Sequence, residues 1–164
     1  MIINRQRRVS LHAAELEKFL ARARRALRVR PGSLTVCFVT DAEIARWNRA
    51  YRGKNRPTDV LSFPADEDAR SRTQRKAKAQ RRGGLQFTPR GPHPTPYLPP
   101  YLGDIAIAPS VAKLNSRKFG RTLDDELRIL ILHGMLHLMG YDHETDNGQM
   151  DRRERRLRRA LGLS

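Results

Sequence analysis

Residues 122–143 read TLDDELRILILHGMLHLMGYDH. Thr122 followed by acidic residues is typical of the cap and first turn of a helix. Leu127 to Leu132 are apolar apart from Arg128, so the helix is apolar on nearly every side. We therefore expect this helix to lie at the centre of the fold, where it gives any functional group that it carries a rigid support.

Three of the five histidines of the chain lie at the end of this stretch, at His133, His137 and His143. On a helix, His133 and His137 are about one turn apart and face the same side. Gly140 can end the helix in the left-handed conformation and turn the chain so that His143 returns as a third ligand. Three neutral imidazoles with one open position are typical of a catalytic zinc site, so we predict one Zn²⁺ ion per chain.

The rest of the chain alternates short apolar runs with segments of helical periodicity. We predict strands at residues 2–9, 34–39 and 102–108 and a further strand after Pro57. Helices are predicted at residues 10–28, after the capping box Thr40–Glu43, at 109–120, along the central stretch and at 146–161. Four strands and five helices in this order indicate an α/β (α+β) fold.

Residues 65–101 differ from both flanks, because they are rich in basic residues and proline and have no apolar periodicity. We predict a flexible basic and proline-rich insertion within a single domain that spans residues 1–164. Such an insertion either wraps RNA or is an inert loop, and its sequence favours neither interpretation.

The chain carries 33 Lys and Arg against 17 Asp and Glu, a formal charge of +16 that favours a polyanionic partner such as nucleic acid. The six arginines of residues 152–159 are expected to face outward from the last helix. The single Cys37 has no intramolecular disulfide partner. Because no run approaches the length of a membrane span and the N-terminus lacks a signal-peptide core, we expect a cytoplasmic protein without a membrane partner.

The same histidine spacing occurs in metzincin proteases, where a glutamate after the first histidine is the general base. This chain has Gly134 at that position, so a peptidase would lack its usual base. A Zn²⁺ ion with three neutral ligands keeps its full charge and suits a phosphodiester substrate. From the residues alone, the basic loop with Arg52, Lys54 and Arg56 is either a phosphate clamp or a solvated turn.

The motif from His133 to His143 resembles the signature of the YbeY family, bacterial zinc-dependent endoribonucleases of ribosomal RNA maturation. Residues 48–54 together with 57–64 resemble the second motif of that family, and residues 102–105 resemble its third. The resemblance covers most of the chain outside residues 65–101. That insertion and the high positive charge are departures from the family.

This resemblance implies a mixed sheet and a metal cleft in which His133, His137 and His143 bind zinc. It also implies that Arg52 contacts an RNA phosphate, with Lys54 and Arg56 beside it in an RNA-binding loop. The implied partners are rRNA and the small ribosomal subunit. We expect the cleft to be formed by the central helix and the turn that follows it.

The resulting hypothesis is a single-strand-specific, metal-dependent endoribonuclease that acts in small-subunit rRNA processing and ribosome quality control. Arg52 would position the phosphate, and Asp142 would orient a histidine or assist proton transfer. The nucleophile is either water or the RNA 2′-hydroxyl. Two alternatives stay open: a zinc metallopeptidase-like hydrolase, and a non-catalytic zinc-containing ribosome-assembly factor.

Overall fold

The computed structural model describes residues 1–65, 101–142 and 146–163. His143 and the predicted insertion, apart from its two end residues, lie outside these ranges. The strands are β1 (Ile2–Asn4), β2 (Leu34–Phe38), β3 (Val60–Pro64) and β4 (Gly103–Ile107). The described helices are α1 (Ala13–Leu27), α2 (Asp41–Arg52), α3 (Pro109–Lys118), α4 (Leu123–Leu138) and α5 (Gln149–Leu161).

The four strands form one sheet in the order β1-β2-β4-β3. The first three in that order run parallel, and β3 runs antiparallel to β4, in register from Val60 opposite Ile107 to Pro64 opposite Gly103. The predicted α+β class with a mixed four-stranded sheet and five helices is thus confirmed for the described residues. β3 forms one edge of the sheet, and its neighbour β4 lies beneath the central helix.

The central helix α4 packs against β3, β4, α1, α3 and α5, so it lies in the middle of the fold as predicted. Leu127, Ile131 and Leu136 are fully buried along its length. The hydroxyl of Thr122 accepts a hydrogen bond from the Asp125 amide at 3.1 Å and caps the first turn. The acidic first turn also complements the positive end of the helix dipole.

A second, smaller apolar cluster lies on the other side of the sheet, under α2. Ile44 is fully buried there, and the ring of Trp47 packs edge-on against Phe63 of β3 at 5.8 Å between centroids. The predicted capping box is confirmed: the Glu43 amide donates to Thr40 Oγ1, and the Glu43 carboxylate accepts from the Thr40 amide at 3.0 Å. This cluster fixes the end of α2 near β3.

Several boundaries differ from the prediction: α3 ends at Lys118 rather than near Gly120, and α5 begins at Gln149 rather than at residue 146. Two further differences lie near the N-terminus. Pairing of β1 with β2 ends at Asn4, and beyond it the side chain of Gln6 forms hydrogen bonds with both the amide and the carbonyl of Val9. α1 begins at Ala13 rather than near Ser10, because the His12 carbonyl accepts the first helical hydrogen bonds. No helix in the described part of the chain is long and apolar enough to cross a membrane.

Candidate functional site

A cleft of about 660 Å³ lies between β3 and α4. One face of the helix supplies Glu126, Leu130, His133 and His137, spaced so that they follow one another along the cleft. The other described residues that line it include Arg52 from α2, Thr58 to Ser62 and Pro64 around β3, Phe119 and Arg121 before α4, Gly140 to Asp142 after it, and Arg158 from α5. The cleft therefore collects side chains from three helices, the segments on either side of α4 and the edge strand.

The two helical histidines point their ring nitrogens at one another. The Nε2 atoms of His133 and His137 are 3.1 Å apart, and the rings meet at 75°. Two nitrogens bound to one tetrahedral zinc at ~2.0–2.1 Å are separated by roughly 3.3 Å. The pair therefore fits a shared metal ion without rearrangement of the helix.

The third predicted ligand, His143, lies outside the described residues. Within the ranges that the structure does describe, no three His, Cys, Asp or Glu side chains gather as a metal-binding group. Gly140 has a φ of 92°, as predicted for the residue that turns the chain after the helix. The chain thus turns after the helix, and the residues of this turn line the same cleft as the two histidines.

A carboxylate that the sequence did not suggest contacts the first histidine. Glu154 of α5 places Oε2 2.9 Å from Nδ1 of His133, and its other oxygen pairs with Arg158. Because an ionised carboxylate only accepts hydrogen bonds, Nδ1 of His133 donates to Glu154, which in a neutral imidazole leaves the lone pair on Nε2, the nitrogen that faces His137. Burial raises the pKa of Glu154, but the hydrogen bond from His133 and the nearby positive charges outweigh it and lower that pKa overall.

Glu154 is 7% exposed and lies on the buried stripe of α5 with Met150, Leu157 and Leu161. An acidic residue in such a stripe needs a partner, and this was the signal available in the sequence. The expectation that all six arginines of this helix face outward is wrong for two of them. Arg158 turns inward to Glu154, and the Arg153 guanidinium lies over the ring of Tyr141 at 5.3 Å.

The predicted catalytic residues Arg52 and Asp142 both line the cleft with His133 and His137. Asp142 is partly buried in the turn after α4. Because Glu154 contacts His133, the proposed role of Asp142 concerns another histidine or a proton transfer. The catalytic roles of Arg52 and Asp142 remain predictions.

Arg52 is the last residue of α2, and the ring of its neighbour Tyr51 packs against Phe63 at 5.1 Å. This contact holds the end of α2 against β3, so that Arg52 reaches the mouth of the cleft. Lys54 and Arg56 are exposed in the following loop and are absent from the described lining of the cleft. Their predicted contact with RNA would therefore occur outside it.

Gly134, between the two histidines, faces the sheet rather than the cleft. A Cβ built on Gly134 would lie 2.7 Å from Cγ2 of Ile105 on β4. A side chain at this position would therefore collide with Ile105 unless the helix or Ile105 moved, so the close packing of α4 on β4 favours glycine. The position that carries the general base in metzincin proteases cannot carry one here without such a shift.

The fold and the cleft define a class, an α+β protein with a histidine pair on its central helix and an arginine at the mouth of the site. This class suits metal-assisted hydrolysis of an anionic substrate. A family model described as Endoribonuclease YbeY matches residues 1–162. The chain therefore belongs to the YbeY family.

Individual relatives agree with this assignment. The chain is 37% identical over 163 residues to Endoribonuclease YbeY of Koribacter versatilis, covering 99% of this chain and 86% of that protein. It is 39% identical over 138 residues to the protein of the same name from Roseiflexus sp., covering 82% of this chain and 73% of the relative. A solution structure of a Thermotoga maritima protein matches with a TM-score of 0.54 and 25% identity, covering 98% of this chain and 89% of the other.

Proposed function

We propose that this chain is a zinc-dependent endoribonuclease that cuts single-stranded RNA during maturation of small-subunit rRNA in the cytoplasm. Membership of an endoribonuclease family supports cleavage of RNA. The observation that carries the zinc site is the 3.1 Å separation of the His133 and His137 Nε2 atoms in a cleft that Arg52 also lines. The positive charge of +16 supports a polyanionic substrate.

His133, His137 and His143 would hold the metal in this proposal. When bound there, a Zn²⁺ ion supplies Lewis-acid stabilisation of the negative charge that develops on the phosphate. Glu154 keeps His133 in the tautomer that presents Nε2 to the cleft. Arg52 binds the phosphate oxygens, because a guanidinium can donate two parallel hydrogen bonds to them.

Asp142 accepts or delivers a proton at the wall of the cleft in this mechanism. The attacking oxygen comes from water or from the RNA 2′-hydroxyl. These two routes leave different ends on the product, since attack by the 2′-hydroxyl gives a cyclic phosphate and attack by water does not. Analysis of the product ends therefore identifies the nucleophile.

The packing of Gly134, the residue after His133, argues against the peptidase alternative. Gly134 packs on Ile105, so the usual protease base has no place beside His133. The proposal predicts cleavage of single-stranded RNA, weak cleavage of duplex RNA and no cleavage of peptides. Loss of RNA cleavage on chelation, with the fold retained, separates an enzyme from an assembly factor in which the metal only braces the fold.

The test uses purified protein loaded with one zinc per chain and incubated with single-stranded rRNA fragments, duplex RNA and casein. His137→Ala is compared with His12→Ala, because His12 is an exposed histidine outside the described lining of the cleft. The proposal expects cleavage by wild type and His12→Ala, and none by His137→Ala. Casein cleavage without RNA cleavage, or normal RNA cleavage by His137→Ala, would refute it.

A further inference from the structure

Phe119, at the border of the cleft, is a large apolar side chain open to solvent. It follows the last residue of α3, and 55% of its surface is exposed. Single exposed apolar side chains are common, and Leu114 on the same helix is 64% exposed. Phe119 differs because, of the large apolar side chains exposed in the described ranges, it alone lines the cleft.

Two cations lie against the Phe119 ring. The Arg121 guanidinium carbon is 4.9 Å from the ring centroid, and Lys118 Nζ is 5.8 Å from it. Arg121 is held from beneath by the buried Glu126 carboxylate, with 3.3 Å between Nη1 and Oε2. The ring and the guanidinium therefore form a supported pair at the edge of the cleft.

This pair lies in line with the two histidines. Glu126, which anchors Arg121, and His133 occupy the same face of α4 and line the same cleft. Seven residues of helix separate them, which corresponds to a rise of roughly 10 Å. A phosphate held near the histidines would thus leave a neighbouring nucleotide within reach of Phe119.

We propose that Phe119 and Arg121 form a stacking site for one nucleobase of single-stranded RNA, beside the phosphate that is cut. The inference rests on the proposed function and deepens it by naming a substrate subsite. The exposed part of the Phe119 ring can bind any base by stacking, while the cation over the ring attracts the adjacent phosphate. Bases in a duplex are already stacked, so this site favours unpaired RNA.

The test is a scan with short RNA substrates that each lack one base at a different position around the cleavage site. With wild-type protein, one abasic position raises KM by about 5- to 100-fold. Phe119→Ala raises KM for unmodified RNA by a similar factor, and the penalty at that one position disappears. Phe119→Trp keeps the wild-type pattern, whereas Phe119→Leu, which is apolar but not aromatic, behaves like Phe119→Ala.

Leu114→Ala is the matched control, since it removes an exposed apolar side chain from the same helix outside the cleft. This variant is expected to leave KM and the pattern of abasic penalties unchanged. An abasic penalty that is the same in wild type and Phe119→Ala at every position overturns the inference while leaving the proposed function intact.

If the wild-type protein cuts no RNA, the proposed function is refuted. The stacking site can then still be tested by measuring RNA binding. In a Trp47→Phe background, which removes the single native tryptophan, the fluorescence of Phe119→Trp is quenched by single-stranded RNA and that of Leu114→Trp is not. Equal quenching of both tryptophans, or none of either, contradicts base stacking at Phe119.

Discussion

The carboxylate of Glu154 lies 2.9 Å from Nδ1 of His133, so α5 orients a histidine that projects from α4. Arg158, one turn further along α5, holds the other carboxylate oxygen. The orientation of His133 therefore depends on the packing of two helices. This relationship gives the first prediction.

Glu154→Gln is expected to weaken zinc binding by roughly 10- to 100-fold, because the neutral amide is a weaker acceptor for the Nδ1 proton of His133. Competition with a chromophoric chelator measures the affinity independently of RNA cleavage. Asp151→Asn is the control, since Asp151 is an exposed acid on the same helix whose partner is Arg155. Equal zinc affinities for Glu154→Gln and wild type would show that the contact does not orient a ligand.

Arg52→Ala is expected to lower kcat/KM for single-stranded RNA by roughly 10- to 100-fold, the effect of losing a charge-assisted hydrogen bond to phosphate. Steady-state cleavage assays measure this change. Arg49→Ala removes an exposed arginine of the same helix outside the described lining and should have little effect. Similar losses in both variants would mean that Arg52 contributes only general positive charge.

Gly134→Ala is expected to lower the free energy of unfolding by about 1–3 kcal/mol, because the new methyl group meets Ile105 on β4. Urea denaturation measures the change. In an Ile105→Ala background the methyl group has space, so the same substitution should cost much less. Additive effects of the two substitutions would argue against this contact.

Glu43 gives a prediction about acid stability. The backbone hydrogen bond from Thr40 is the main reason why the pKa of Glu43 is lowered, despite an opposing effect of burial. A carboxyl whose pKa is lower in the folded state stabilises the protein above its unfolded pKa, and this contribution is lost as the pH falls through the folded pKa. Glu43→Ala should therefore destabilise the protein clearly at pH 7, and this penalty should shrink as the pH falls through the lowered pKa of Glu43.

Urea titrations of wild type and Glu43→Ala at pH 7, 5 and 3 measure the difference in unfolding free energy. Glu17→Ala serves as a comparison, because Glu17 accepts a backbone hydrogen bond from Ile2 but belongs to no capping box. A Glu43→Ala penalty that stays constant over this range would contradict the assigned cause of the lowered pKa.

The central helix and its caps could be predicted because their signals are local. The apolar run, the Thr122 cap and the spacing of His133 and His137 all lie within one segment of the chain. The sequence alone also shows that Gly134 stands where the proteases carry their base. Its packing against Ile105 could not be predicted, since that contact depends on how the helix lies on the sheet.

The contact of Glu154 with His133 could not be predicted for the same reason. Glu154 lies 21 residues from His133, and its place in the apolar stripe of α5 indicates only that its side chain points inward and needs a partner. Which group it meets depends on how α5 packs against α4. The aromatic site at Phe119 likewise depends on tertiary structure, because the residue is notable only for the cleft that it borders.

The central claim is that His133 and His137 hold one metal ion on which RNA cleavage depends. The most direct measurement titrates zinc into metal-free protein and follows the initial rate of single-stranded RNA cleavage for wild type and His137→Ala. The wild-type rate should rise in proportion to added zinc and level off at one equivalent per chain, whereas His137→Ala should stay inactive over the same range. Full cleavage by metal-free wild type, or by His137→Ala, would contradict the claim.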